Sequence, residues 1–308
     1  MTVLVTGADG FVGRILVGTL REAGLDVTAC FRAGTAAPIW PDPAVRWLPL
    51  ELADAASVAR VAAEPCAFVV HLAGLASGSE ARRDPGVAWE VNAAGTARLV
   101  EALAGRPRQK VLVVSTGEVY GAGRGARART ERDPLLPVSP YAASKVGAEV
   151  AAFETRRRTG LPVVVARPFP HTGPGQAEAF VAPAFAGRLR EARASGAASV
   201  RTGSLQPVRD FTDVRDVAAA YLLLLQRGEP GEAYNVASGT GTPLHELFTT
   251  LAGLVGTAAV PEVDPALVRT ADVPHLVGDA TKLRERTGWV PRVPLLQTLR
   301  DLVDAQAH

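Results

Sequence analysis

Over the first two thirds of the chain, short apolar runs rich in β-branched residues alternate with longer stretches whose apolar positions recur at helical spacing. Runs at 3–6, 27–31, 67–71, 111–116 and 163–167 predict strands. The stretches between them carry end signals. Asp84-Pro85 offers an N-cap and a first-turn proline to a helix running to Leu103, with Gly105 just beyond; Ser139-Pro140 does the same for a helix to Arg158, closed by Gly160. Strands alternating with helices predict the α/β class, with a parallel sheet covered on both faces. From residue 170 the alternation weakens, and 170–207 and 238–295 are richer in Pro and Gly. Between these stretches, 211–226 predicts another helix and 233–237 another strand. The pattern divides the chain into a main unit of 1–169 plus 208–237 and a smaller, discontinuous lobe of 170–207 plus 238–308.

Composition narrows the classes. With 308 residues, 47% of them hydrophobic, the chain can bury a large core and needs neither disulfides nor metals to hold it. Cys30 and Cys66 lie in apolar runs and read as small core residues, and no Cys/His spacing suits a metal site. The formal charge of +2 is spread along the chain. The cluster Arg156-Arg157-Arg158 fits a helix C-terminus better than a nucleic-acid surface. Met1 leads directly into a strand-like run, and no segment approaches the roughly 20 apolar residues of a membrane span. A cytoplasmic protein with neither nucleic-acid nor membrane partners is expected.

Two motifs bring chemistry. Gly7, Gly10 and Gly13 follow the first strand and open an amphipathic helix, at the spacing that lets a backbone turn approach a pyrophosphate seated on a helix N-terminus. The second strand ends Cys30-Phe31-Arg32, without the carboxylate that would hold a ribose 2′-hydroxyl. A guanidinium there suits a 2′-phosphate, so NADP(H) is the expected cofactor and NAD(H) the alternative. Glu51 lies where such folds place an acid near the adenine amine. Further on, Tyr141 and Lys145 stand one turn apart on one helix face, where an ammonium can favour a phenolate. Thr116, at the end of the 111–116 run, can offer its hydroxyl to a substrate oxygen at the edge where open parallel sheets bind ligands.

These motifs and several others together resemble the extended short-chain dehydrogenases/reductases over nearly the whole chain. The shared pattern includes Gly7/Gly10/Gly13, His71-Leu72-Ala73-Gly74, Asn92 to Thr96, Ser115 to Gly121, Tyr141/Lys145 and Arg167 to Pro174. The resemblance implies a Rossmann-type doubly wound sheet, a Thr116–Tyr141–Lys145 triad, and a C-terminal lobe that grips a nucleotide sugar. It implies a cofactor site built from Gly7, Gly10, Phe11, Val12, Gly13, Arg32, Glu51, Leu52, Leu72, Ala73, Gly74 and Asn92, with Tyr141 and Lys145. Gly173 to Gln176, Val208 to Asp216 and Asp272 to Asp279 are similar to GDP-4-keto-6-deoxy-D-mannose reductases, which implies Glu118, His171, Arg209 and Arg269 as substrate residues. Pro170 replaces the asparagine usual in that pattern. Gly117 stands where dTDP-glucose 4,6-dehydratases carry an acid. The resulting expectation is a homodimeric, NADPH-dependent 4-ketoreductase of a nucleotide sugar. Its alternatives are an epimerase or 4,6-dehydratase that retains its NAD(P), and a non-catalytic cofactor-sensing protein.

Overall fold

The computed structural model describes residues 1–38, 42–105, 109–123, 125–268 and 273–306. Its centre is a sheet of seven parallel strands: β1 (Thr2–Thr6), β2 (Asp26–Arg32), β3 (Arg46–Leu50), β4 (Phe68–His71), β5 (Lys110–Val114), β6 (Val163–Pro168) and β7 (Ala233–Val236). They lie in the order β7-β6-β5-β4-β1-β2-β3, so the sheet reverses direction beside β1. Ligand crevices open at such a switch point, beyond the strands' C-terminal ends. Val3, Leu4 and Val5 are fully buried, as befits a strand covered on both faces.

The main helices are α1 (Phe11–Glu22), α2 (Ala55–Ala62), α3 (Gly95–Leu103), α4 (Pro140–Thr159), α5 (Val181–Ser195), α6 (Val214–Arg227), α7 (Leu244–Val255) and α8 (Leu295–Ala305). Leu16 and Leu20 of α1 and Val217, Tyr221 and Leu224 of α6 fill one face of the sheet. Val58 of α2, Leu99 and Leu103 of α3 and Ala152 of α4 fill the other. A third core joins α5, α7 and α8, with Phe185 edge-on to Phe248 at 5.4 Å between ring centres. Val273, Leu276, Leu283 and Trp289, although late in the chain, pack into the first of these cores. Short strands Val208–Asp210, Gly241–Pro243 and His275–Leu276 pair with one another between the two regions.

The end signals work as anticipated on α4. Ser139 Oγ accepts from the Ala142 N–H at 3.1 Å, and Gly160 closes the helix in the left-handed region at φ 79°. Other expectations need correction. The single helix predicted over 84–103 is broken: one turn at Pro85–Ala88, a wider π turn at Trp89–Ala94, then α3. The widening coincides with Asn92, whose side chain is drawn into the core. The helix predicted from 211 begins at Val214, because Asp213 caps it while Thr212–Asp213 pairs with His171–Thr172. The strand predicted over 111–116 ends at Val114. β3 escaped prediction because Arg46-Trp47-Leu48-Pro49-Leu50 does not alternate, and its Pro49 is tolerated only because the strand is an edge. No helix among the described residues is long and apolar enough to cross a membrane.

Candidate active site

The glycine turn is built around missing side chains. Gly7 has φ +69°, and a Cβ on it would lie 2.7 Å from the Ala73 nitrogen; one on Gly13 would lie 2.2 Å from the Gly7 carbonyl oxygen. Such close backbone approach is available to glycine alone. Gly10 precedes α1, and among the described residues no side chain caps that helix's first turn, so the N–H groups around Phe11, Val12 and Gly13 remain for an anion. This cradle fits a dinucleotide pyrophosphate. Behind it, His71 is 3% exposed. Its proton positions follow from its neighbours. Thr96 Oγ1 donates to the Asn92 carbonyl, so it accepts from His71 Nε2 at 3.0 Å; His71 Nδ1 then accepts from Thr6 Oγ1 at 2.7 Å, which accepts in turn from the Ala73 N–H at 3.2 Å. Burial, with the Lys145 charge nearby, holds this imidazole neutral, down to about 3.

The end of β2 has two faces. The Arg32 side chain is exposed, with no ion pair among the described residues, while its N–H donates to Asp9 Oδ2 at 3.3 Å. Asp9 thus brings a carboxylate to the strand end from the glycine turn, where sequence analysis, reading the strand alone, found none. Glu51 Oε1 accepts from the Ala53 N–H at 3.1 Å, and Leu52 is buried against Gly95. Cys30, at the middle of this strand, is pushed up to about 12 by burial and is an inert core thiol.

Leu72, Ala73 and Gly74 continue from β4 toward Asn92 and Lys145. A Cβ on Gly74 would meet Asn92 Oδ1 at 2.6 Å and Lys145 Nζ at 3.5 Å. The Asn92 amide is fully engaged: Oδ1 accepts from the Leu75 N–H at 2.8 Å, and Nδ2 donates to the Leu75 carbonyl and to Ser144 Oγ. It acts here as a clamp between the 72–75 segment and α4.

Thr116 is buried and caps the 3-10 turn Gly117–Tyr120, its Oγ1 accepting from the Glu118 N–H at 3.2 Å. Its hydroxyl also lies near enough to Tyr141 to favour the phenolate, so the structure brings both predicted hydroxyls together. Tyr141 is raised, first by burial and then by the Glu118 carboxylate, against the lowering pull of Thr116. Lys145 does not set this balance; its Nζ donates to the Val114 carbonyl at 2.9 Å. Burial brings Lys145 down to about 8 while Glu149 pulls it back up. The phenol therefore carries its proton at neutral pH, and the amine sits near the point of losing one.

Gly117 has a neighbour that leaves it no room. A Cβ there would lie 2.9 Å from the ring of Phe169, which is 1% exposed and also packs closely against Gly278. His171 stacks on Phe11 with parallel rings 6.3 Å apart, and its Nδ1 donates to the Phe169 carbonyl. The structure thus sets it beside the glycine turn. Pro170 still contributes its carbonyl, which accepts from the Thr212 N–H at 3.0 Å. Arg209 Nη1 donates to the Val208 and Val273 carbonyls at 2.9 and 2.6 Å, while the neighbouring Asp210 gathers the N–H groups of Ser238, Gly239 and Gly278. Arg269 lies outside the described residues. Sequence analysis missed Asp9, Phe169 and a buried polar chain running Glu149–Arg167–Tyr120–Asn235. The one local signal for that chain was Glu149 four residues after Lys145.

Comparison with known proteins agrees with this geometry. The family described as NAD dependent epimerase/dehydratase matches residues 3–237. A GDP-6-deoxy-D-mannose reductase of Pseudomonas aeruginosa is 34% identical over 97% of this chain and 95% of its own. The solved structure of RMD from Pseudomonas aeruginosa complexed with NADPH superposes with a TM-score of 0.85 at 32% identity, covering 99% of this chain and 98% of that one. The Thermus thermophilus UDP-glucose 4-epimerase in complex with NAD gives a TM-score of 0.89 at 33% identity, with 99% and 98% covered.

Proposed function

We propose, from the premise that this chain belongs to the NAD dependent epimerase/dehydratase family of NAD(P)-dependent oxidoreductase enzymes, that it reduces the C4 carbonyl of a nucleotide-linked 4-keto-6-deoxy sugar with NADPH. The observation that carries this reading is the Phe169 ring against Gly117. It fills the place from which an acid would protonate a leaving hydroxide, and leaves Thr116 and a protonated Tyr141 as the groups facing a carbonyl.

In this reading the Gly7–Gly13 turn and Lys145 hold the cofactor, with Arg32 on its 2′-phosphate. When bound, the cofactor supplies a hydride to the carbonyl carbon. Tyr141 gives its proton to the carbonyl oxygen, and its raised pKa keeps that proton available at neutral pH. Thr116 orients the same oxygen. Lys145, as a cation, holds the nicotinamide ribose one helical turn from Tyr141. Arg209 and Arg269 take the substrate diphosphate, with Glu118 and His171 as further substrate residues. The sheet-bearing unit, 1–169 plus 208–237, binds the cofactor, and 170–207 plus 238–308 the sugar nucleotide. Two copies pair through the 84–103 and 139–158 segments, where Val87, Trp89 and Val150 are exposed.

The test is NADPH oxidation with GDP-4-keto-6-deoxymannose, run beside NADH and beside the dTDP-linked keto sugar. Rapid oxidation with the GDP sugar supports the reductase and shows that Pro170 serves in place of asparagine. Preference for the dTDP sugar keeps the chemistry and changes the nucleotide. The second reading, an epimerase or 4,6-dehydratase that retains its cofactor, is favoured by the likeness to the Thermus thermophilus UDP-glucose 4-epimerase in complex with NAD. Tightly held oxidised cofactor without net NADPH consumption would select it.

A further inference from the structure

The chain has 33 lysines and arginines together, of which lysines are three: Lys110, Lys145 and Lys282. Lys145 is 8% exposed, and among the described residues its one hydrogen bond is to a backbone carbonyl. One helical turn further along the same face of α4 lies Glu149, 2% exposed. Its carboxylate is held by Arg167 of β6, with Nε to Oε1 at 3.0 Å and Nη2 to Oε2 at 2.6 Å. Arg167 Nη1 donates to the Tyr120 hydroxyl at 2.9 Å, and that hydroxyl donates to Asn235 Oδ1 at 2.7 Å. The Asn235 amide then donates to the Arg129 carbonyl at 2.8 Å. Elements far apart in sequence therefore fix one buried ion pair next to the active-site lysine. A buried pair is weak evidence for stability alone, since apolar residues of similar volume often serve as well.

The other titratable groups around Lys145 do not hold its charge. His71, from β4, is neutral, and Tyr141 and Tyr120 keep their protons because burial raises both. Glu118, from the 3-10 turn, acts on Tyr141. Arg167 carries a like charge, directed at Glu149. The carboxylate that acts on the lysine is Glu149.

We propose that the Glu149–Arg167 pair is the positioning device for Lys145, in which Glu149 sustains the ammonium in its buried seat and Arg167 limits how much of that carboxylate's field the lysine feels. The inference deepens the catalytic reading above and rests on it, because it is as a cation that Lys145 serves there. Burial pulls the amine toward its neutral form, and Glu149, one helical turn along the same face, is what opposes it.

Three lysines make the direct measurement practicable. The full chain, labelled with 13C-lysine, is titrated by NMR, with Lys110→Arg and Lys282→Arg identifying the remaining resonance as Lys145. Glu149→Gln should move the Lys145 midpoint down by about one pH unit, the lower end of what a close carboxylate contributes. Arg167→Met should move it up, because the carboxylate is then less shielded. Glu149→Asp, which keeps the charge but draws it back, should give a smaller downward shift and serves if the glutamine variant does not fold. A role in folding alone would weaken both partners' variants in the same way, without opposite shifts. An unchanged midpoint in the Glu149 variants, or movement of the Glu149 and Arg167 variants in one direction, overturns the proposal. The basic limb of the turnover profile is recorded in parallel. If the NMR midpoints move oppositely while that limb stays fixed, the device stands and the catalytic reading of Lys145 falls.

Discussion

Gly117→Ala is the smallest change that tests the wedge on which the proposed function rests. Its new methyl would sit 2.9 Å from two carbons of the Phe169 ring, well inside the roughly 3.5–4.0 Å of ordinary carbon contact. The ring is crowded elsewhere too: a Cβ on Gly278 would lie 2.6 Å from it, and Tyr120 stacks at 6.2 Å between ring centres. Overpacking of this kind costs about 1–3 kcal/mol. Phe169→Ala alone should cost about 3–5 kcal/mol, since it empties a fully buried site. In the double variant the methyl occupies space the ring has left. The combined loss in urea denaturation should therefore fall short of the two single losses by about 1–3 kcal/mol. Gly117→Ala alone should also slow NADPH oxidation, because Thr116, proposed to orient the carbonyl oxygen, is the adjacent residue. Additive losses within about 0.5 kcal/mol would show that ring and glycine do not compete for space, and the argument against an acid at this position would fail.

Tyr141→Phe should lower turnover by about 10²–10⁴-fold while NADPH binding, followed by fluorescence, changes little; near-normal turnover would refute the proton-donor role. Arg32→Ala should raise the KM for NADPH about tenfold or more, as loss of a charge-assisted contact of about 1.5–3 kcal/mol requires, and leave that for NADH nearly unchanged. Equal changes would show that Asp9, and not Arg32, governs the ribose. His71 predicts a pH effect on stability. Its folded-state value lies near 3 and its ordinary value at 6.5, so the unfolded chain takes up a proton that the folded chain refuses. Its contribution is complete above pH 6.5 and is lost as pH falls toward 3, by up to about 5 kcal/mol. Guanidinium titrations of His71→Asn should show a flatter decline across that window than the unaltered chain, and an unchanged slope would refute the assignment.

What was legible in the sequence was what neighbouring residues determine among themselves. Thr6 to Gly13 announces a strand, a tight turn and a helix because glycine's conformational freedom is a local property, and the structure uses it at Gly7 and Gly13. Ser139, Pro140 and Gly160 delimit α4 by capping rules that act within one turn. Tyr141 and Lys145 follow from helical spacing. β3 was not legible, because an edge strand meets its partner along one side and needs no apolar alternation. The π turn at Trp89–Ala94 was not legible either, since Asn92 is drawn inward by Leu75 and Ser144, 17 and 52 residues away.

The same distinction explains why the two halves of the site differ in legibility. The proposed cofactor half is made of backbone groups at strand ends and a helix start, and the sheet places those before any side chain is chosen. The other half depends on side chains meeting across long separations: Arg209 reaches the carbonyl of Val273, and Phe169 closes on Gly117 and Gly278. Such meetings leave no period in the chain. What they do leave is an anomaly, a residue too polar or too small for its surroundings. In α4, Ser144, Lys145 and Glu149 are buried among alanines, where apolar residues would be expected. Burying them costs free energy that packing alone does not return. The polar chain from Glu149 to Asn235 supplies the compensation, joining α4 to β6, the Gly117–Tyr120 turn and β7 through bonds that leave Glu149 and Arg167 paired.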